Sequence, residues 1–322
     1  SISVQLKQGG LKVLQIQDNG CGIRVEDFPI LCERFTTSKI KSFEDLNGIK
    51  SFGFRGEALA SVSHVAHVTI TSKTPKASCA HRASFCDGKM IGCAPGEEAK
   101  PHPVAGVKGT TILVEDLFYN IPIRRESLRS AQDEYRRCVD VITKYSIHYS
   151  GVSFVCKKQG QAKMDVHTLK SASRKQNIRS LYGSHIYKEL IEVSAESKEF
   201  KFKMESLATN PNFNTKSFIF ILFINNRLVD CASIKKAIDS VYREYLPSNS
   251  HPFVYVNLEI HPSHVDVNVH PTKKEVHFLH EEHVVDEVQS AFEKALSGAN
   301  SSRVFLAQST LPNARPVDDT EK

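Results

Sequence analysis

The chain has 322 residues, 40% of them apolar and 24% charged, which suits a folded chain of about two domains at roughly 150 residues each. Its formal net charge of +6 permits contact with nucleic acid without requiring it. The longest apolar run, residues 218–224, is far short of the about 20 residues that a membrane-spanning helix needs, which excludes such a helix and argues against a membrane partner.

Residues 2–17 read as a hairpin. Ile2, Val4 and Leu6 alternate, Gln8-Gly9-Gly10 turns the chain, and Leu11, Val13, Leu14 and Ile16 follow. The chain opens at Ser1, not Met, directly into this pattern, and reads as a fragment without a signal sequence. Phe28, Leu31, Cys32 and Phe35 fall at helical spacing behind an acidic start, which predicts a helix over 26–35. Residues 36–56 and 87–108 are polar and glycine-punctuated and read as loops. A helix is expected from Gly56-Glu57, then strands over 65–71 and 110–114. A helix over 131–147 follows, with Tyr135, Cys138, Ile142 and Tyr145 on one face, and then a strand over 152–157.

The polar, basic stretch 157–176 predicts a boundary between a domain over 1–160 and a second over 171–297. In the second, the apolar run 218–224 predicts a strand covered on both faces. Ile234, Ala237, Ile238, Val241, Tyr242 and Tyr245 mark a helix, 253–260 a strand, and about 281–296 a last helix. Residues 298–322 read as the start of a flexible linker. Eight dispersed cysteines without a C-x-x-C pair read as free thiols in a reducing compartment, with Cys32 and Cys138 as small core hydrophobes.

Five patterns bear on chemistry. Asp18-x-Gly20-x-Gly22 follows a strand; its carboxylate suits an exocyclic amine and its glycines let a ring approach the backbone, although D-N-G is also an ordinary turn. Thr36-Thr37-Ser38-Lys39 offers hydroxyls and an ammonium to ribose or phosphate, or is a plain polar loop. Gly53-Phe54-Arg55-Gly56-Glu57-Ala58-Leu59 is a glycine-bracketed helix start, suited to phosphate or merely exposing an arginine. Lys108-Gly109-Thr110-Thr111 places a hydroxyl at a strand start. Lys273 follows the turn at His270-Pro271, as a point charge for phosphate or one more solvated cation. His277, His280 and His283 diverge around a helix and read as surface histidines, not a zinc site. Arg124 and Arg125, with Arg129, Arg136 and Arg137 following, form a basic cluster suited to DNA phosphates.

No single pattern decides a function, but their joint order does. D-x-G-x-G, T-S-K, G-F-R-G-E-A-L, G-T and V-N-V-H-P-T-K in succession resemble the MutL-type GHKL ATPases, the DNA mismatch-repair relatives of gyrase and Hsp90. The resemblance spans residues 1 to about 297. It implies an α+β chain: a GHKL (Bergerat-type) α/β sandwich ATP-binding domain, then a ribosomal-protein-S5 domain-2-like transducer domain. It implies that Asp18 holds the adenine amino group, that Gly20 and Gly22 line the base, and that Thr110 backs Asp18. Thr37, Ser38 and Lys39 would lie in the ATP lid. Arg55, Gly56, Glu57, Ala58 and Leu59 would face the phosphates, and Lys273 would reach the γ-phosphate as the catalytic cation. Arg227 resembles a DNA-contacting position, or is an exposed turn arginine.

ATP and Mg²⁺ are the implied cofactors, with the water-activating Glu and the Mg²⁺-binding Asn on a helix preceding residue 1. The chain as given therefore reads as an ATPase impaired in turnover, or as a non-hydrolysing DNA-binding or partner-docking module. The implied partners are DNA, a MutL-paralogue subunit joined as a heterodimer through a C-terminal region, and MutS-type proteins. The implied location is the nucleus.

Overall fold

The computed structural model describes residues 1–37, 56–92, 96–128, 130–266 and 276–301, the side chains of 299–301 excepted. β1 (Ile2–Lys7) and β2 (Val13–Asp18) form the expected antiparallel hairpin, Ile2 opposite Asp18. The helix expected over 26–35 is a short 3₁₀ helix, Val25–Ile30, followed by turns. Pro29 lies inside it and lacks the amide that an α-helical bond would need. Phe28 and Cys32 are buried as the spacing requires, but Phe35 adopts φ +65° and is 73% exposed. Burial pushes the Cys32 thiol up to about 11, and all seven described cysteines are free.

α1 (Ala58–Ser63), β3 (His67–Lys73) and β4 (Ala80–Cys86) come next. The expected loop at 87–108 contains two short strands, β5 (Lys89–Ile91) and β6 (His102–Val104), both paired to β4. Three-residue strands are too short to show a period. β7 (Gly109–Glu115), α2 (Pro122–Ser127), α3 (Ala131–His148), β8 (Phe154–Lys158) and β9 (Met164–His167) complete the first half. The sheet order is β5-β4-β3-β7-β2-β1-β8-β9, antiparallel throughout except for the parallel pair β1 and β8. β9 extends this sheet into the polar stretch read as a boundary.

The second half holds α4 (Arg174–Tyr182), α5 (Ser184–Lys188), β10 (Leu190–Ser197), β11 (Phe202–Thr209), β12 (Ile219–Ile224) and β13 (Arg227–Leu228). It continues with α6 (Ala232–Arg243), β14 (Phe253–Ile260), β15 (Val265–Asp266), β16 (His277–Phe278) and α7 (Glu281–Ser301). α4 carries a reciprocal capping box: Ser173 Oγ accepts the Gln176 amide at 3.3 Å and Gln176 Oε1 accepts the Ser173 amide at 2.8 Å. α7 runs five residues past its expected end at about 296. The second sheet is ordered β10-β11-β14-β12-β13, with β12 and β14 parallel and α6 between them in sequence.

β12 is covered on both faces, as its unbroken apolar run predicts. Leu222 and Ile224 pack with Ile238, Val288 and Phe292 of α6 and α7. Ile221 and Phe223 face a separate cluster that contains Ile147 from α3. The N-terminal part of α3, through Tyr135 and Cys138, instead covers β1 and β8 at Val4, Leu6 and Phe154. One helix thus serves the cores of both sheets.

His148, 6% exposed, ends that helix and stacks on Phe223 with ring centres 3.9 Å apart. Its Nε2 meets Asn226 Oδ1 at 3.0 Å and its Nδ1 meets the Tyr255 hydroxyl at 2.8 Å. The carbonyl-type acceptor places the proton on Nε2, so Nδ1 accepts from the Tyr255 O–H. Burial lowers the His148 pKa from 6.5 to about 4. Between those values the unfolded chain binds a proton that the folded one does not, so stability falls as pH drops through that window and is fully present above it.

Two outcomes follow for urea unfolding. The share of stability that His148 withdraws between pH 6.5 and about 4 amounts to about 3 kcal/mol, and His148→Gln removes that share of the pH slope. Ile147→Ala, at a fully buried position, lowers stability by about 2–5 kcal/mol; a loss below about 1 kcal/mol would contradict the shared core.

Candidate functional site

Asp18 closes β2, and its Oδ1 accepts the Gly20 amide at 2.7 Å, which folds the D-N-G segment back on the carboxylate. Gly22 has φ +70°, and a Cβ there would sit 2.3 Å from the Lys73 carbonyl oxygen. Only glycine lets this loop close onto the end of β3. The next amide, of Ile23, donates to Ser72 Oγ at 2.8 Å. Ser72 Oγ in turn lies 3.0 Å from the Gly109 carbonyl and 2.9 Å from Thr110 Oγ1. Both hydroxyl side chains are buried. The β2–β7 register pairs Gln17 with Thr111, so the next pair along brings Asp18 beside Thr110. One buried serine thus joins the loop after Gly22 to Thr110, with Asp18 next to Thr110 in the register and Gly20 bonded to Asp18.

Sequence reasoning misses Ser72. Its one signal is that the buried alternation Val68, Ile70 continues onto a hydroxyl residue. A buried hydroxyl in line with a core face needs partners, and here it joins the loop to β7.

The second junction is at Gly56, φ +63°, where a Cβ would lie 2.1 Å from the Thr36 carbonyl oxygen. The T-T and G-E-A-L segments therefore touch backbone to backbone. α1 starts at Ala58, and the Glu57 carbonyl accepts the Ser61 amide at 2.8 Å. Leu59 packs against the cluster around Phe28 and Val68. Thr37, Gly56, Glu57, Ala58 and Leu59 form one neighbourhood, whereas Ser38, Lys39, Arg55 and Lys273 lie outside the described residues.

A concavity of about 710 Å³ reaches Asp18, Gly109 and Thr110 at its edge. Most of its lining, including Gln15, Gln17, Thr71 and Thr111, alternates with the residues that face the apolar core. It therefore belongs mainly to the opposite, polar face of the sheet. Among the described residues no group of His, Cys, Asp or Glu converges to hold a metal ion. His277, His280 and His283 are exposed, and the rings of His280 and His283 stand 6.2 Å apart beside Phe200.

Arg124 and Arg125 are exposed on α2, the former over the Phe118 ring at 5.9 Å. Arg136 and Arg137 meet Asp133 and Glu134 one turn away, at 3.3 and 3.0 Å, which partly neutralises the adjoining cations. Arg227 is 8% exposed and starts β13, and its charge helps to hold down the Tyr145 pKa, which burial raises. That burial does not fit an exposed turn arginine.

A protein-family profile described as DNA mismatch repair protein, C-terminal domain, matches residues 178–297. The chain is 44% identical to the DNA mismatch repair protein Mlh1 of Dictyostelium discoideum, over 97% of this chain and 38% of that protein. It is 46% identical to MLH1 of Saccharomyces cerevisiae, over 99% of this chain and 42% of that protein. The chain therefore spans about two fifths of the length of these curated relatives. A crystal structure of the N-terminal domain of a DNA repair protein superposes with a TM-score of 0.78 at 25% identity, covering 94% of this chain and 90% of that one. The ATPase domain of Aquifex aeolicus MutL, complexed with ADP, shares the fold at a TM-score of 0.57 and 19% identity, covering 89% and 88%. Over the length that it shares with these relatives, the chain has the α+β fold of MutL ATPase domains and belongs to the MutL family of DNA mismatch repair proteins, homologous to eukaryotic Mlh1.

Proposed function

We propose that this chain is the nucleotide-operated region of a mismatch-repair protein, in which ATP binding and hydrolysis switch its contacts with DNA and partners. The observation that carries this reading is the Asp18 loop, clamped through Gly22 and Ser72 onto the strand that bears Thr110. Asp18 keeps one oxygen for the Gly20 amide and offers the other to the adenine amino group. Gly20 and Gly22 leave room for the base, and Thr110 supports the carboxylate from β7. Thr37, Ser38 and Lys39 close over the nucleotide. Arg55, with Gly56, Glu57, Ala58 and Leu59, receives the phosphates, and the close approach of Gly56 to Thr36 ties these two segments together. Lys273, from the second half of the chain, meets the γ-phosphate.

A cation on one half that binds a phosphate held by the other biases how the halves sit. α3 is the part that transmits such a bias, because its end is locked to Phe223, Asn226 and Tyr255. Bound ATP would supply the phosphoanhydride and the negative charge that Lys273 meets, and Mg²⁺ would neutralise part of that charge. The base contacts are the main support for the nucleotide reading; among the described residues no cluster of three or more His, Cys, Asp or Glu side chains is placed to hold a metal ion. DNA is met through its phosphates, by Arg124 and Arg125. A MutL-paralogue subunit and MutS-type proteins are the protein partners, and the nucleus is the place of action; the likeness to eukaryotic Mlh1 supports this part of the reading.

Calorimetric titration with Mg²⁺ and a non-hydrolysable ATP analogue tests the base site. Asp18→Ala is expected to weaken binding roughly 10–100-fold, the loss of a charged hydrogen bond; equal affinity in both proteins would remove Asp18 from the reading. The DNA surface is tested by affinity for duplex DNA against salt. Replacing Arg124 and Arg125 with Glu is expected to lower the slope of log K against log salt by about 2 without sequence preference. An unchanged slope would place the DNA contact elsewhere.

A further inference from the structure

The second sheet ends on β10. This strand pairs with β11 from Leu190 opposite Thr209 to Ser197 opposite Phe202. Among the described residues its other edge pairs with no strand. Such an edge presents N–H and C=O groups that a further backbone can satisfy.

α7 runs beside that edge. Val193 of β10 shares a core cluster with Val284, Val288 and Phe292 of α7, and Ser197 Oγ donates to Glu287 Oε1 at 3.0 Å. Between strand and helix lies a groove of about 720 Å³. Its helix wall carries Ala291 and Ala295, one turn apart, so the wall is low where a second backbone would lie, about 4.8 Å from β10.

The rim of the groove decides what fits. The groove is lined by Glu192 and Glu196 of the strand, Asp286 and Glu287 of the helix, and Lys294. This is an acidic place on a chain whose net charge is +6. Glu192 also meets Lys175 at 2.7 Å; the lysine is half-buried but the Glu192 carboxylate is exposed, and a surface pair of this kind contributes little and can be exchanged for an incoming cation. Glu192 and Glu196 lie four residues apart on one face of the strand, so cations four residues apart on an added strand would meet both. The alternate side chains of that strand would face Ala291 and Ala295, where small apolar groups fit. A second copy of β10 is disfavoured, because it would bring like carboxylates together across the pair.

We propose that the β10 edge is a docking site for an extended, lysine- or arginine-bearing segment of a partner protein, added as a sixth strand and seated against α7. The probe is a fluorescein-labelled octapeptide with lysine at its first and fifth positions, serine at the third and seventh, and valine at the even ones. It is followed by anisotropy and by amide chemical shifts.

Saturable binding is expected, with shift changes confined to β10 and α7. Binding is expected to weaken about tenfold or more when Glu192 and Glu196 are both replaced by Lys, and equally when glutamate replaces the peptide lysines. N-methylation of alternate peptide amides is expected to abolish it, because edge bonding needs those donors. Asp286→Lys, at an exposed helix position, is a second variant that leaves the strand untouched and is expected to weaken binding. An unchanged melting temperature for the variants shows that the fold is intact. The proposal is overturned by absence of saturable binding, by binding that survives N-methylation, or by shift changes elsewhere. Self-association of the chain through β10, seen by sedimentation, would put a second copy in the groove and overturn it equally.

Discussion

The structure turns on one helix end. α3 is held at its start by the Ser130 hydroxyl, which accepts the Asp133 amide at 3.2 Å, and the helix carries one apolar stripe along its length. That stripe meets two different cores, the β1–β8 region through Tyr135 and Cys138, and the second sheet through Ile147. At the last residue, His148 is buried, stacked and bonded through both nitrogens. A buried neutral imidazole with both partners in place has a defined tautomer, and losing either partner leaves a polar atom without water or protein. The two sheets are therefore joined by directional bonds as well as by apolar contact, which resists sliding at the seam. A displacement of one half can reach the other through such a joint.

The site proposed for nucleotide is assembled by close backbone approach. Gly22 against Lys73 and Gly56 against Thr36 leave no space for a side chain, and each brings together segments that are distant in sequence. Ser72 then acts as a three-way hydrogen-bonding post between the Asp18 loop and β7. Each motif alone is an ordinary turn or strand start, and the packing of one against the other makes a shaped surface beside a carboxylate. The charges are likewise sorted by position. Arg124 and Arg125 stand exposed on α2, while acids surround the β10 groove at the far edge of the second sheet. A chain with modest net charge can thus offer surfaces of opposite sign to different partners.

Much of the element order was legible from periodicity. The first hairpin, the long α3, the doubly buried β12, and α6 with its apolar stripe are all long or strongly patterned. The failures have local causes. Pro29 tightens the predicted helix into a 3₁₀ turn, and β5 and β6 are too short for a period to appear. β4 buries Ala80 and Ala83 beside Phe85, and small side chains make a weak alternation. For Arg227 the sequence left a DNA contact and an exposed turn arginine both open; Asn225 and Asn226 adopt positive φ in a tight hairpin, and Arg227 is buried.

The sequence by itself determined the chemistry available: a carboxylate and glycines in the Asp18 loop, hydroxyls and a cation in the Thr37 segment, and the ordered motifs that mark the MutL family. These are local, because glycine, turn and helix-start preferences act over a few residues. Only the tertiary structure decided that Ser72 joins the Asp18 loop to Thr110, that His148 locks the two sheets, and that the outer edge of β10, beside α7, pairs with no strand among the described residues. Those facts depend on which strands are neighbours and which faces are covered. Long-range pairing of that kind leaves no short-range mark in the chain.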